Sequence, residues 1–146
     1  MLAIDTNVVV RCLVDEDPEQ CHRARSLVSS GIVFLSTTVL LETECVLRGV
    51  FDLQRSDILA ALRKFFSLPT IVLEDGQAAL RACAWAERGM DFADALHLAS
   101  SANCEAFASF DKGLAKAAAK LGAIEVRAPQ GDSGRRRRRQ EGPNLS

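Results

Sequence analysis

Tyrosine is absent from this 146-residue chain, and tryptophan occurs once, at Trp85. Proteins that hold single strands without reading them do so largely by stacking bases on aromatic rings, so a stacking platform is not expected. Histidine is almost as scarce, with only His22 and His97. Two imidazoles are too few for a convincing His-pair ribonuclease mechanism. No stretch approaches the roughly 18 apolar residues of a membrane span. The start also lacks the basic leader of a secretory signal, and Asp5 breaks the first apolar run almost at once. A cytoplasmic location with no membrane contact is the expectation.

The five cysteines, Cys12, Cys21, Cys45, Cys83 and Cys104, are widely spaced and include no C-x-x-C. An odd number argues against a complete disulfide framework, and with two histidines a zinc site has too few ligands. Small buried apolar side chains are the simpler reading of all five. Charge is unevenly spread. Five of the 18 basic residues form the run Arg135–Arg139, and only Asp132 and Glu141 are acidic after residue 131. Residues 1–131 therefore carry 13 basic and 17 acidic side chains. An acidic body is a poor general polyanion binder, so any nucleic acid must be held locally, through metal ions or the basic tail.

Short apolar runs alternate with helical patterns along the chain. Strands are expected at Leu2–Ile4, Ile32–Leu35, Ile71–Leu73, Ala106–Ser109 and Ile124–Val126. Asp17-Pro18 is a favoured helix opening. Thr37 or Thr38, Ser56, Asp75 and Asp91 begin later helices, and Lys112–Leu121 is the last. In the helix after Ser56, Ile58, Leu59, Leu62, Phe65 and Phe66 fall on one face. The alternation predicts an α/β fold with a parallel sheet covered by helices on both faces. Length and composition fit one domain over residues 1–128, followed by a disordered Arg-rich tail over 129–146.

Within that frame four acids stand out. Asp5 ends the first apolar run. Glu42 interrupts an otherwise apolar helix face. Asp94 lies in the first turn of a later helix, and Asp111 follows Ala-Phe-Ala-Ser-Phe. Asp5 and Asp111 sit at strand carboxyl ends, where open parallel sheets place their sites. Four carboxylates brought together repel one another unless a cation intervenes. Mg²⁺ is held by such oxygen ligands, often together with substrate phosphates. The pattern points to cutting a phosphodiester.

Each acid also has an ordinary structural role. Thr6 or Asn7 can cap the first helix, which leaves Asp5 for a cleft. Glu44 precedes Arg48 by four residues, the favourable order for a surface ion pair. Glu42 instead shares a stripe with Val39, Cys45 and Val46 and has no basic partner at helical spacing. Asp91 is explained by capping, whereas Asp94 can project from a helix N-terminus. Asn7 and Ser109 flank the acids and suit the orientation of waters or ligands. His97 reads as a packed side chain. Arg11, Arg48 and Arg88 are scattered cations that could touch phosphates or simply lie in solvent.

Asp5-Thr-Asn, Glu42, Asp94-Ala-Leu and Ser109-Phe-Asp111, in this order, resemble the PIN-domain ribonucleases, above all the short VapC-type toxins of toxin–antitoxin pairs. The resemblance covers roughly residues 1–127. It implies a Rossmann-like parallel five-stranded sheet with helices on both sides. It also implies a Mg²⁺- or Mn²⁺-dependent endoribonuclease acting on tRNA or other structured RNA. Asp5, Glu42, Asp94 and Asp111 would be the catalytic, metal-binding acids, with Asn7 and Ser109 as supporting polar residues. A homodimer and a small antitoxin partner are further implications. The arginine run has no counterpart in the family pattern.

Two rival readings use the same residues differently. One is a non-catalytic PIN-like module that binds RNA or protein. The other is a phosphoacceptor receiver domain, which needs an acid pair after its first strand and an acceptor Asp after its third. Here Thr6 and Asn7 follow Asp5, and Glu74-Asp75 follows the third strand.

Overall fold

The computed structural model describes residues 1–130. The arginine run and nearly all of the expected tail lie outside the described residues. Among those described, seven helices alternate with five short strands: β1 (Leu2–Ala3), α1 (Thr6–Leu13), α2 (Pro18–Ser30), β2 (Val33–Leu35), α3 (Thr37–Gly49), α4 (Arg55–Phe66), β3 (Ile71–Leu73), α5 (Gly76–Glu87), α6 (Phe92–Ser100), β4 (Phe107–Ala108), α7 (Lys112–Leu121) and β5 (Val126–Arg127). The chain forms two compact units, one from Met1 to Asn103 and a second beginning at Cys104.

All strand pairs are parallel, as the alternating pattern requires. They form a three-stranded sheet, β1-β2-β3, in the first unit and a two-stranded sheet, β4-β5, in the second. Five parallel strands, the number that the family resemblance implies, are present among the described residues, three paired in the first unit and two in the second. Apolar runs of two or three residues state that strands exist but carry little about which neighbours pair. The buried strand expected at Leu2–Ile4 is also corrected. Leu2 and Ala3 are exposed on an outer strand, and only Ile4 is buried. The central strand β2 holds Val33 and Leu35 almost fully buried.

Around β2 the core gathers Ile4, Val9, Val28 and Phe65, with Val8, Cys12, Leu13, Leu27 and Ile71 packed against it. Burying side chains of this size contributes roughly 1.5–3 kcal/mol each. The apolar first helix is therefore mainly core-facing through Val9 and Val10. In α4 the expected stripe is buried at Ile58, Leu59, Leu62 and Phe65.

Helix starts follow capping chemistry, with small shifts of position. Asp17 caps α2 with Pro18 at its first position, Asp75 caps α5, and Asp91 caps α6. Ser36, not Thr37 or Thr38, caps α3 by accepting from Val39 N. Helix α4 begins at Arg55 after Gln54, which supplies no side-chain cap. Helix α7 ends at Gly122, whose positive φ of 72° is the left-handed closing residue that glycine adopts without strain.

The cysteines divide by environment. Cys21 and Cys83 are buried and Cys12 is half-buried, but Cys45 and Cys104 are exposed, so the reading of all five as core residues holds for only part of the set. Burial pushes the Cys12 and Cys83 thiols up to about 11. No helix among the described residues is long and apolar enough to cross a membrane.

Candidate active site

Asp5 stands at the junction of β1 and α1. Its Oδ1 accepts the Val8 backbone N–H at 3.1 Å, so Asp5 itself is the N-cap. This corrects the expectation that Thr6 or Asn7 would cap. Thr6 is instead buried in the first turn. The cap uses one carboxylate oxygen and holds the side chain in place. The residue remains exposed, and with Asn7 it borders two cavities.

One of these cavities, of about 420 Å³, is lined by Asp5, Thr6, Asn7, Val10 and Arg11 from the start of α1, and by Glu42, Val46, Val50 and Phe51 from α3 and the turn after it. Two of the four singled-out acids therefore share one solvent-open cavity. Glu42, Val46 and Val50 are spaced by four residues, so one face of α3 lines it. That geometry revises the sequence reading of Glu42. Its apolar neighbours line the cavity wall, and Glu42 itself is exposed. Among the described residues it has no ion pair or side-chain hydrogen bond.

The buried carboxylate of α3 is Glu44. The core-facing residues of this helix are Leu40, Thr43, Glu44 and Leu47, spaced three and four apart as one helical face demands. Glu44 and Arg48 do form the expected pair, at 2.9 Å, but Glu44's side chain is only 7% exposed. The expected surface pair is thus half interior. Burial of the carboxylate is tolerated because the guanidinium partners it. The hydrogen bond to Glu44 raises the Arg48 pKa above its ordinary value, and the nearby Asp91 charge adds to the effect. Glu44, Arg48, Arg55 and Asp91 line a separate cavity of about 140 Å³.

Asp94 is half-buried in the first turn of α6, where its backbone N–H donates to Asp91 Oδ2 at 3.1 Å. The capping role assigned to Asp91 is thereby present. In the second unit Asp111 heads α7 and accepts from Leu114 N at 3.0 Å, while its own N–H donates to Ser109 Oγ. His97 is exposed. Among the described residues no three Asp, Glu, His or Cys side chains stand together as a preformed metal site. Asp5 and Glu42 share one cavity, and their oxygen chemistry is compatible with Mg²⁺, which is commonly held by one or two carboxylates with waters and substrate phosphates completing its shell.

Of the scattered cations, Arg48 is committed to Glu44, while Arg11 lines the cavity with Asp5 and Glu42. Spacing offered the signal for Arg11: it follows Asn7 by four residues, which places both on one face of α1.

The family model for the PIN domain matches residues 2–120. The chain belongs to the PIN-domain family. Among solved structures, this PIN domain is similar to Mycobacterium tuberculosis VapC20, a sarcin–ricin loop cleaving toxin. The two share 22% identity with a TM-score of 0.40, over 87% of this chain and 99% of that one. No match is found among curated proteins. Family membership displaces the receiver-domain reading, and the acids after β3 agree: Glu74 accepts from Thr37 N at 2.8 Å and Asp75 caps α5.

Proposed function

We propose that this PIN domain is a Mg²⁺- or Mn²⁺-dependent endoribonuclease, the toxin of a toxin–antitoxin pair, acting on tRNA or other structured RNA. The observation that carries the reading is the shared cavity of Asp5 and Glu42, with Glu42 exposed and without an ion pair among the described residues. A carboxylate kept this way is suited to an external cation. Asp5 is tethered through Oδ1 by its capping bond, which leaves Oδ2 for a ligand. Asn7 adds an amide beside it that can orient a water or a phosphate oxygen. Asp94 and Asp111 join the set on their positions in the family pattern, with Ser109 supporting Asp111 through the 3.1 Å bond to its backbone. Bound there, one or two divalent ions would supply a more acidic water for in-line attack and charge compensation at the phosphate. A homodimer and a small antitoxin that covers the site belong to the same proposal.

The deciding experiment is cleavage of total tRNA and ribosomal RNA with Mg²⁺ or Mn²⁺, beside Asp5→Ala and an EDTA control. Discrete fragments that need both the metal and Asp5 are expected. Cleavage that persists in Asp5→Ala or in EDTA overturns the mechanism. RNA binding without any cleavage favours the non-catalytic module instead.

A further inference from the structure

The two cavities that meet at Asp5 differ in charge. The one shared with Glu42 holds two carboxylates against one guanidinium, Arg11. The other, of about 440 Å³, has Asp5 as its one acid and is lined by Arg11 from α1 and Arg23 from α2, together with Asn7 and Gln20. Asp5, Asn7 and Arg11 line both. A surface with excess carboxylate thus passes into one with excess guanidinium across these three shared residues.

Arg11 carries the decisive detail. Its Nε is buried and finds no hydrogen-bond partner among the described residues. An unsatisfied buried N–H costs free energy that a native fold does not ordinarily leave uncompensated. Among the described residues Arg11 has no ion pair of the kind that Glu44 gives Arg48. Asp5, which lines the same cavities, directs its Oδ1 to the helix cap instead. A planar guanidinium matches a phosphate bidentately, and flanking amides suit the remaining oxygens.

We propose that Arg11 and Arg23, with Asn7 and Gln20, form a phosphate subsite for the RNA backbone next to the scissile bond. Resting on the nuclease reading above, the subsite gives an acidic protein a local grip on a polyanion. Phosphate contacts of this kind position a strand without reading its sequence. The strand would run from the arginine-faced cavity into the carboxylate-faced one.

The test is metal-free binding of a fluorescein-labelled 12-nucleotide oligouridylate by the full chain in EDTA, read by anisotropy over a salt series. Arg11→Gln, Arg23→Gln and Arg11→Lys are compared with Arg81→Gln, which removes the same charge from an exposed position on α5. Each Gln variant at the subsite should weaken binding roughly tenfold and flatten the log–log salt slope by about 0.7, the single-strand value per contact. Arg11→Lys should restore the slope but not the full affinity. Arg23 is exposed, so its variant keeps the test valid if Arg11→Gln fails to fold. Slopes and affinities equal to those of Arg81→Gln, or no binding by the parent chain, overturn the subsite. Because no catalysis is involved, the two readings fail separately. Metal-dependent cleavage with an arginine-independent slope removes only the subsite. An arginine-dependent slope without cleavage removes only the nuclease.

Discussion

Two cavities border helix α3, and they use the same residue types to opposite ends. In the smaller, Glu44 is buried, Arg48 lies 2.9 Å from it, and Asp91 is occupied in capping α6. In the larger, Glu42 is exposed and Asp5 is tied through only one oxygen. Glu42 and Glu44 are separated by two residues, about 200° around a helix. The rotation carries one into the interior, where a carboxylate must have a cation from the chain itself, and the other into solvent. An acid paired within the fold holds the fold together, and an acid left without a partner is available to a ligand.

The contrast would break most visibly under substitution of the exposed acids. Asp5→Ala or Glu42→Gln should lower metal-dependent cleavage by about 100-fold or more, since loss of several kcal/mol of charge stabilisation is involved. Glu42→Gln should leave the melting temperature within about a degree, because it breaks no contact, and a thermal melt checks that half. Second in size is the converse. Arg48→Ala should destabilise the protein by about 1–3 kcal/mol, a range discounted because Arg48 is half exposed. Cleavage per folded molecule should stay unchanged. Urea melts with parallel activity assays decide this, and a large activity loss without destabilisation would erase the distinction between the cavities.

A smaller effect sharpens the same point. Millimolar Mn²⁺ should raise the melting temperature of the parent chain by a few degrees through linkage, and EDTA should reverse it. Glu44→Gln should retain the shift and Glu42→Gln should lose most of it. The smallest effect is chemical. A thiol reagent at neutral pH should label Cys45 and Cys104 quickly and Cys12 slowly, because burial lifts the Cys12 thiol to about 11. Mass mapping of early adducts checks the order, and rapid labelling of Cys12 would show that its apolar surroundings open in solution.

Much of this was legible in the residues. Asp17-Pro18, Asp75 and Asp91 announced helix starts because capping depends on local chemistry only. Apolar runs placed all five strands to within two residues, and Asp5 was recognisable as a strand-end acid. The orientation of α3 was less legible. Val39, Cys45 and Val46 suggested a buried stripe beside Glu42, yet the core takes Leu40, Thr43, Glu44 and Leu47. A helix with apolar residues on more than one side does not state which side faces inward. Arg11 was one cation among several until packing left its Nε buried, with no partner among the described residues.

The sequence by itself determined the alternating α/β order, the caps at Asp17, Asp75 and Asp91, and the family, because these rest on short-range chemistry and on spacing along the chain. Only the tertiary structure decided which carboxylate of α3 is buried and which faces the cavity, and that Arg11 stands between two differently charged cavities. Those outcomes depend on which neighbours surround a side chain, and a neighbour's charge and its exclusion of water act across space whatever the distance along the chain.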